Sequence, residues 1–475
     1  MTDLSIALNR FGLGARGDEP TPTNARRWLM DQLDRFDPKP AALAALPDHN
    51  AVFAAVQKYN VALRQERLEA QAEAKAAGKA GAAKRKIRQT VRQKVRDPRD
   101  FYFEGIGARL NTALMSSTPF VERLVHFWSN HFAISAEKLP VTALAAAYET
   151  EAIRPHVLGR FSDLLNAVER HPAMLYFLDQ SQSVGPNSRA VVARGGVKGP
   201  EGLNENLGRE VMELHTLGVR TGYTQADVTE FARALTGWTV LSRPAAARAG
   251  GNAKAGDFGF SVAVHEPGVR TIMGKRYPQQ GEAQAQAVLD DLAVHPMTAK
   301  HIATKLARHF VADSPPPSLV AKLETAFRKS GGDLPTVYRA LIDAPEAWTS
   351  RATKFKSPWE WTLSALRAIG TRDMPARSSA GLIQQLGQTV WRPGSPAGFD
   401  DVAGAWAGPD AVFRRVQAAA RMTRRRADAD EDARVLAPRL FPGSVAESTT
   451  QVLARAESPE QALALLLVAP EMMRR

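Results

Sequence analysis

The chain has 475 residues, 44% of them hydrophobic, no cysteine and a formal charge of +13, enough for one large core or two ordinary ones and for two or three domains. Without cysteine there are no disulfides, thiolate nucleophiles, Cys-ligated zinc sites or iron–sulfur clusters. No apolar run reaches the roughly 18 residues of a transmembrane helix, and the opening MTDLSIALNRFGLGARG lacks the basic-then-apolar pattern of a signal peptide, so a cytoplasmic chain with no transmembrane segment is expected.

Helical periodicity dominates, with proline and glycine at the breaks. The expected fold class is mainly α: a multi-helix globular core with a small inserted β-hairpin. Three regions follow: an N-terminal helical region over 1–240, a hairpin insertion over 241–281, and a C-terminal helical region over 282–475 packed on the first. Within the first, residues 61–96 carry almost no large apolar side chain after Leu68, which predicts a charged, exposed helical arm. Its block Lys84, Arg85, Lys86, Arg88, Arg92, Lys94 and Arg96, and a second block of Arg414, Arg415, Arg421, Arg424, Arg425 and Arg426, lack the interleaved aromatics that base stacking needs. Nucleic acid is therefore disfavoured; a solvated face and a surface for a polar or anionic small molecule or polymer stay open.

Pro119 predicts the start of a buried helix through Phe120, Leu124, Phe127 and Trp128, with His126 and His131 riding on it. A helix over 141–158 and another broken at His171-Pro172 follow, and the Gly/Ser/Pro-rich segment 180–203 reads as a loop of the kind that covers sites. Next comes the densest polar segment, NENLGREVMELHTLGV, a helix closed by Gly218; Thr224 and Asp227 then form a capping box for a helix through Leu235. FGFSVAVHEPGVRTIMGKRY predicts a hairpin turning at HEPG. The remainder reads as helices interrupted by a Gly/Pro-rich stretch, with no internal repeat.

On the acidic helix Asn206, Glu210 and Glu213 fall at i, i+4 and i+7 on one face, and Glu205 pairs with Arg209 on its flank. Two readings stay open. One is a buried ion-pair network in which Arg209 and nearby lysines neutralise Glu205, Glu210 and Glu213. The other is a carboxylate–histidine site with Glu210, Glu213, His131, Asn206 and Arg209 as its catalytic set and a divalent metal on Glu210, Glu213, His131 and His156, although the Glu-x-x-His pairs of helical di-metal sites are absent. The second predicts a cavity bounded by Asn206, Glu210, Glu213, the 180–203 loop and the helix of His131. His215 reads as a packing residue, His171 as a turn cap, and His295, His301 and His309 as core or surface. Asn187 and Asn204 read as turn formers or substrate-orienting amides, Trp238 and Trp406 as packing residues. Walker, Rossmann, His-Glu-x-x-His and Gly-x-Ser-x-Gly motifs are all missing.

Seven blocks, ALNRFGLGA, FWSNHFAIS, HPAMLYFLD, NENLGREVMELHTLGV with the following GYT and DV, ARALTGW, HIATKLARHFVAD and LGQTVWRPGSPAGF, occur in an order that resembles the bacterial family called domain of unknown function 1800. The resemblance spans about 8–421. It implies a predominantly helical protein, often found beside a second family resembling alkaline phosphatases and sulfatases, with no settled reaction and with many exported relatives. This chain departs by showing no leader and by its more charged arm. The leading expectation is an enzyme, a metal-dependent hydrolase or an oxidoreductase, with a carboxylate/histidine site acting on a polar or anionic substrate. The alternative is a non-catalytic helical scaffold or binding partner of a phosphatase/sulfatase-like protein or of an anionic polymer.

Overall fold

The computed structural model describes residues 1–76, 84–195, 202–424 and 432–475. Its helices begin where the sequence supplies caps. Thr224 and Asp227 form the expected reciprocal box, and Ser357 with Glu360 forms another. Both His-Pro pairs use the imidazole as N-cap: Nδ1 of His171 accepts from the Ala173 amide at 3.1 Å, and Nδ1 of His295 from Met297 at 3.2 Å. An Nδ1 that accepts leaves the proton of the neutral ring on Nε2.

The fold is mainly α, as expected, with the strands among the described residues confined to two antiparallel pairs. The pairing differs from the predicted hairpin. β1 (Trp238–Val240) pairs with β2 (Phe258–Phe260), while β3 (Arg270–Ile272) and β4 (Lys275–Tyr277) form the tight hairpin. It turns at Met273-Gly274, whose φ values of 49° and 77° are both positive, the backbone that matches strand twist in a two-residue loop. HEPG instead connects the two sheets.

The helix Pro119–His131 runs through the core, with Phe120, Leu124 and Trp128 inaccessible to solvent; burying side chains of this size contributes about 1.5–3 kcal/mol each. Trp128 Nε1 donates to the Tyr338 hydroxyl at 2.6 Å, which donates to the Val157 carbonyl at 3.0 Å. Behind this helix Arg154 forks onto Glu122 at 2.7 and 3.1 Å, both side chains 1% exposed. Phe355 bridges to Arg474, and the adjacent Arg475 side chain reaches Glu360 at 2.8 Å.

The arm consists of the helices His49–Ala76 and Lys84–Lys94, whose mutual contact buries Val91 and pairs Lys94 with Glu66 at 2.7 Å. From Val61 to Ala76 no side chain is buried. The second basic block is not uniformly solvated: Arg415 is 1% exposed, donates to the Lys356 carbonyl at 2.8 Å and stacks 4.5 Å from the Phe355 ring. Arg425 and Arg426 lie outside the described residues. Segment 180–203 holds a short helix, Arg189–Ala193, and 196–201 lie outside the described residues. Among the described residues, no helix is long and apolar enough to cross a membrane.

Candidate functional site

The acidic helix is α over Asn206–Glu210 and π over Val211–Thr216. The wider turn changes the angular step after Glu210, so the i, i+4, i+7 alignment with Glu213 no longer holds. Asn206 is exposed, its amide N–H donating to Asn204 Oδ1 at 2.9 Å. Arg209 pairs with Glu205 and Gln225, each at 3.0 Å, rather than with Glu210 or Glu213. Glu213 lies beside Tyr223. Glu210 is half-buried without an ion pair among the described residues; burial first, and the neighbouring Glu213 charge, push its carboxyl above the ordinary value against the pull of His215. His215 is a packing residue, its Nδ1 donating to buried Glu169 at 2.7 Å. Asn187 binds Glu266 and Asn204 binds the Leu178 carbonyl, so both hold turns. Trp238 is buried and Trp406 packs near Phe399.

His131 meets this helix at His215, Nε2 donating to its carbonyl at 3.1 Å and the two rings lying 6.3 Å apart. His156 is half-buried, with Asp163 as the nearest charge acting on it. Glu210, Glu213, His131 and His156 thus do not converge into one ligand set. Among the described residues, the group compact enough for a metal is His49, Glu151 and His171. Its hydrogen bonds are already committed. His49 donates through Nδ1 to Glu151 at 2.6 Å and through Nε2 to Asp257 at 3.0 Å; burial opposes its charge, but the two carboxylates outweigh it and raise the pKa above the ordinary value. The N-cap bond of His171 puts its proton on Nε2, facing Glu151 at 3.5 Å. With His49 protonated, neither ring offers a free lone pair there, and the group then stands as an ion-pair network joining the arm to the β2 region.

The large cavity lies elsewhere. A cavity of about 480 Å³ lies between the helices Pro119–His131, Pro296–Phe310 and Pro358–Ala368 and the Gly/Pro-rich 386–402 segment, within the size range of small-molecule sites. Leu214 and Val219 reach it from the acidic segment; Asn206, Glu210 and Glu213 do not line it, and neither does the 180–203 segment. His131 does, and five of the seven blocks that carry the family resemblance supply lining residues.

The 386–402 segment is seated by Asn130, whose side-chain amide donates to the Phe399 carbonyl at 2.9 Å and accepts from its N–H at 2.7 Å. So close an approach requires Gly398: its φ is 85°, and a Cβ would collide with the Asn130 carbonyl. This seating carries Asp401 to His309, Oδ2 accepting from Nδ1 at 2.8 Å. The imidazole is fixed as the Nδ1–H tautomer, and its Nε2, which has no hydrogen-bond partner among the described residues, keeps a free lone pair, buried in the wall of the cavity that His309 lines. Burial lowers the His309 pKa against the pull of Asp401. Asp401 stays ionised: burial opposes its charge, but His309, Lys354 and Arg475 hold the carboxyl well below the usual range.

One wall is aromatic and cationic, Arg109 lying 4.3 Å from the Trp359 ring and 5.4 Å from Trp391 while donating to Glu149 at 2.8 Å. Arg123 pairs with Glu360. Lys305 is half-buried and has neither hydrogen bond nor ion pair among the described residues; burial lowers its ammonium to about 8. The arrangement thus holds an oriented imidazole, a half-buried carboxylate behind it and an amine without an ion pair among the described residues. Periodicity had assigned His301 and His309 to core or surface; His309 and Asp401 are 92 residues apart, and no spacing rule joins them. The signal that could have found His309 was the block HIATKLARHFVAD; Asp401 lies two residues beyond the end of the block LGQTVWRPGSPAGF.

A family model described as a protein of unknown function (DUF1800) matches residues 6–474. No curated protein and no solved structure matches the chain.

Proposed function

We propose that this chain, which belongs to the DUF1800 family of proteins of unknown function, is an enzyme whose cavity between the Pro119–His131 and Pro296–Phe310 helices performs general acid–base chemistry on a polar substrate. The observation that carries the reading is the His309–Asp401 pair at 2.8 Å in the cavity wall, with Nε2 left without a partner among the described residues. A carboxylate on Nδ1 fixes the tautomer and stabilises the imidazolium formed when Nε2 takes a proton from a substrate hydroxyl or a water. Burial favours the neutral ring, so near neutral pH the base is ready to accept. His131 is retained from the sequence reading as a lining residue, its Nδ1 also without a partner. The acidic-helix carboxylates are left out of the chemistry because they do not line the cavity.

The test is turnover on a panel of carboxylic esters and phosphoesters. Hydrolysis by the parent should fall about 10²–10⁴-fold in His309→Gln, with its far-ultraviolet circular dichroism and melting temperature close to those of the parent. Parent turnover that persists undiminished in this variant would contradict the assignment.

A further inference from the structure

Not every charged side chain of the cavity has an ion pair among the described residues. Arg109 pairs with Glu149, Arg123 with Glu360, and Asp401 is engaged by His309 and Lys354. Lys305 and Arg308 differ. They stand at i, i+3 on the Pro296–Phe310 helix, so they point to neighbouring parts of one face. Lys305 has no protein partner among the described residues, and Arg308 commits only Nε, to the Asp313 carbonyl at 3.2 Å, with no carboxylate on its terminal nitrogens. Asp400, exposed at the rim, is the lining carboxylate without an ion pair.

A half-buried ammonium without an ion pair, whose burial outweighs the attraction of Asp401, costs stability unless a ligand supplies a closer counter-charge. Lys305 sits one helical turn before His309 on the same helix, i, i+4, so a group held by its ammonium lies near Nε2. We infer that Lys305 and Arg308 bind an oxyanion, a carboxylate or phosphoryl group, of the substrate and thereby place a neighbouring hydroxyl or water at His309 Nε2. The inference rests on the reading of the cavity as the substrate site. It narrows the substrate class to compounds that carry an anionic group beside the reacting centre. Lys305 and Arg308 are positioning residues in this scheme, because the proton goes to His309.

The experiment uses the full chain and two probes, inorganic phosphate and acetate, titrated at constant ionic strength against chloride and read by isothermal calorimetry and melting temperature. The parent should bind one of them at a single site and gain melting temperature; which one responds identifies the oxyanion. Lys305→Met should weaken that binding at least tenfold, and Lys305→Arg should restore part of it. Lys305→Met should itself melt no lower than the parent, since it removes an unpaired charge. His309→Gln should still bind the anion, which separates this inference from the base assignment: binding retained with turnover lost supports both, and turnover lost on His309→Gln with no anion binding in the parent overturns the oxyanion site alone. Binding unchanged in Lys305→Met would place the anion on another basic surface, such as the Lys84–Lys94 helix, and would also overturn it.

Discussion

Glu122→Gln should be among the more damaging polar substitutions in this chain. Glu122 accepts both arms of the Arg154 fork, at 2.7 and 3.1 Å, with both side chains 1% exposed. The amide keeps the shape but leaves Arg154 buried with reduced compensation, since its remaining bond is Nε to the Pro38 carbonyl at 3.1 Å. Removing one partner of such a pair costs about 3–5 kcal/mol, whereas replacing both by apolar residues of similar volume is often close to neutral. An unfolding entropy near 2.1 cal/mol/K per residue gives roughly 1 kcal/mol/K for 475 residues, so about 3 kcal/mol appears as a fall of ~3 °C in melting temperature. Denaturant unfolding of Glu122→Gln, Arg154→Met and the double Glu122→Leu/Arg154→Met measures the free energies directly. Both singles should lose more than the double, even though the double also deprives His126 Nε2 of the carboxylate 3.7 Å away. A double variant that loses as much as the two singles together would refute the argument, because packing rather than an uncompensated charge would then be responsible.

Glu210→Gln should leave melting temperature at pH 7 unchanged or raised: a carboxyl whose pKa is higher in the folded state destabilises it when ionised, and the amide removes that charge. A clear loss of stability would instead favour the ion-pair reading of the acidic helix. Gly398→Ala should lower stability and weaken ligand binding together, since the Cβ strains φ and pushes the segment carrying Asp401 away from Asn130; normal anion binding in this variant would count against the seating role. At His49 the folded-state pKa lies above 6.5, so its contribution is full below pH 6.5 and fades as pH rises through the folded value. His49→Gln should therefore lose more stability at pH 6 than at pH 9. A loss independent of pH would mean that the Glu151 and Asp257 contacts do not depend on the imidazolium.

Local features were readable because one segment carries them whole. The Thr224–Asp227 box, the Pro119 start and the caps at His171-Pro172 need only residues within a few positions of each other. The acidic helix was legible as a helix, but its face was not. Ideal periodicity cannot anticipate the π turn at Val211, which depends on tertiary packing of buried Val211, Met212 and His215. The hairpin was located in the right region and misregistered because HEPG looks like a turn, whereas Met273-Gly274 carries little sign beyond one glycine. The His309–Asp401 pair lay beyond sequence reasoning for a different cause: the two residues are brought together where Asn130 holds Phe399. His131, which lines the cavity, drew notice because it stands within an obviously buried helix.

The assignment of His309 as the cavity base is tested most directly by nitrogen-15 NMR of the full chain labelled at histidine, with His309→Gln to assign its resonances. At pH 7 the account predicts a neutral ring with a protonated Nδ1 bound to Asp401 and an unprotonated Nε2 whose resonance moves on ligand binding. An Nε2–H tautomer, or an imidazolium at that pH, would contradict it.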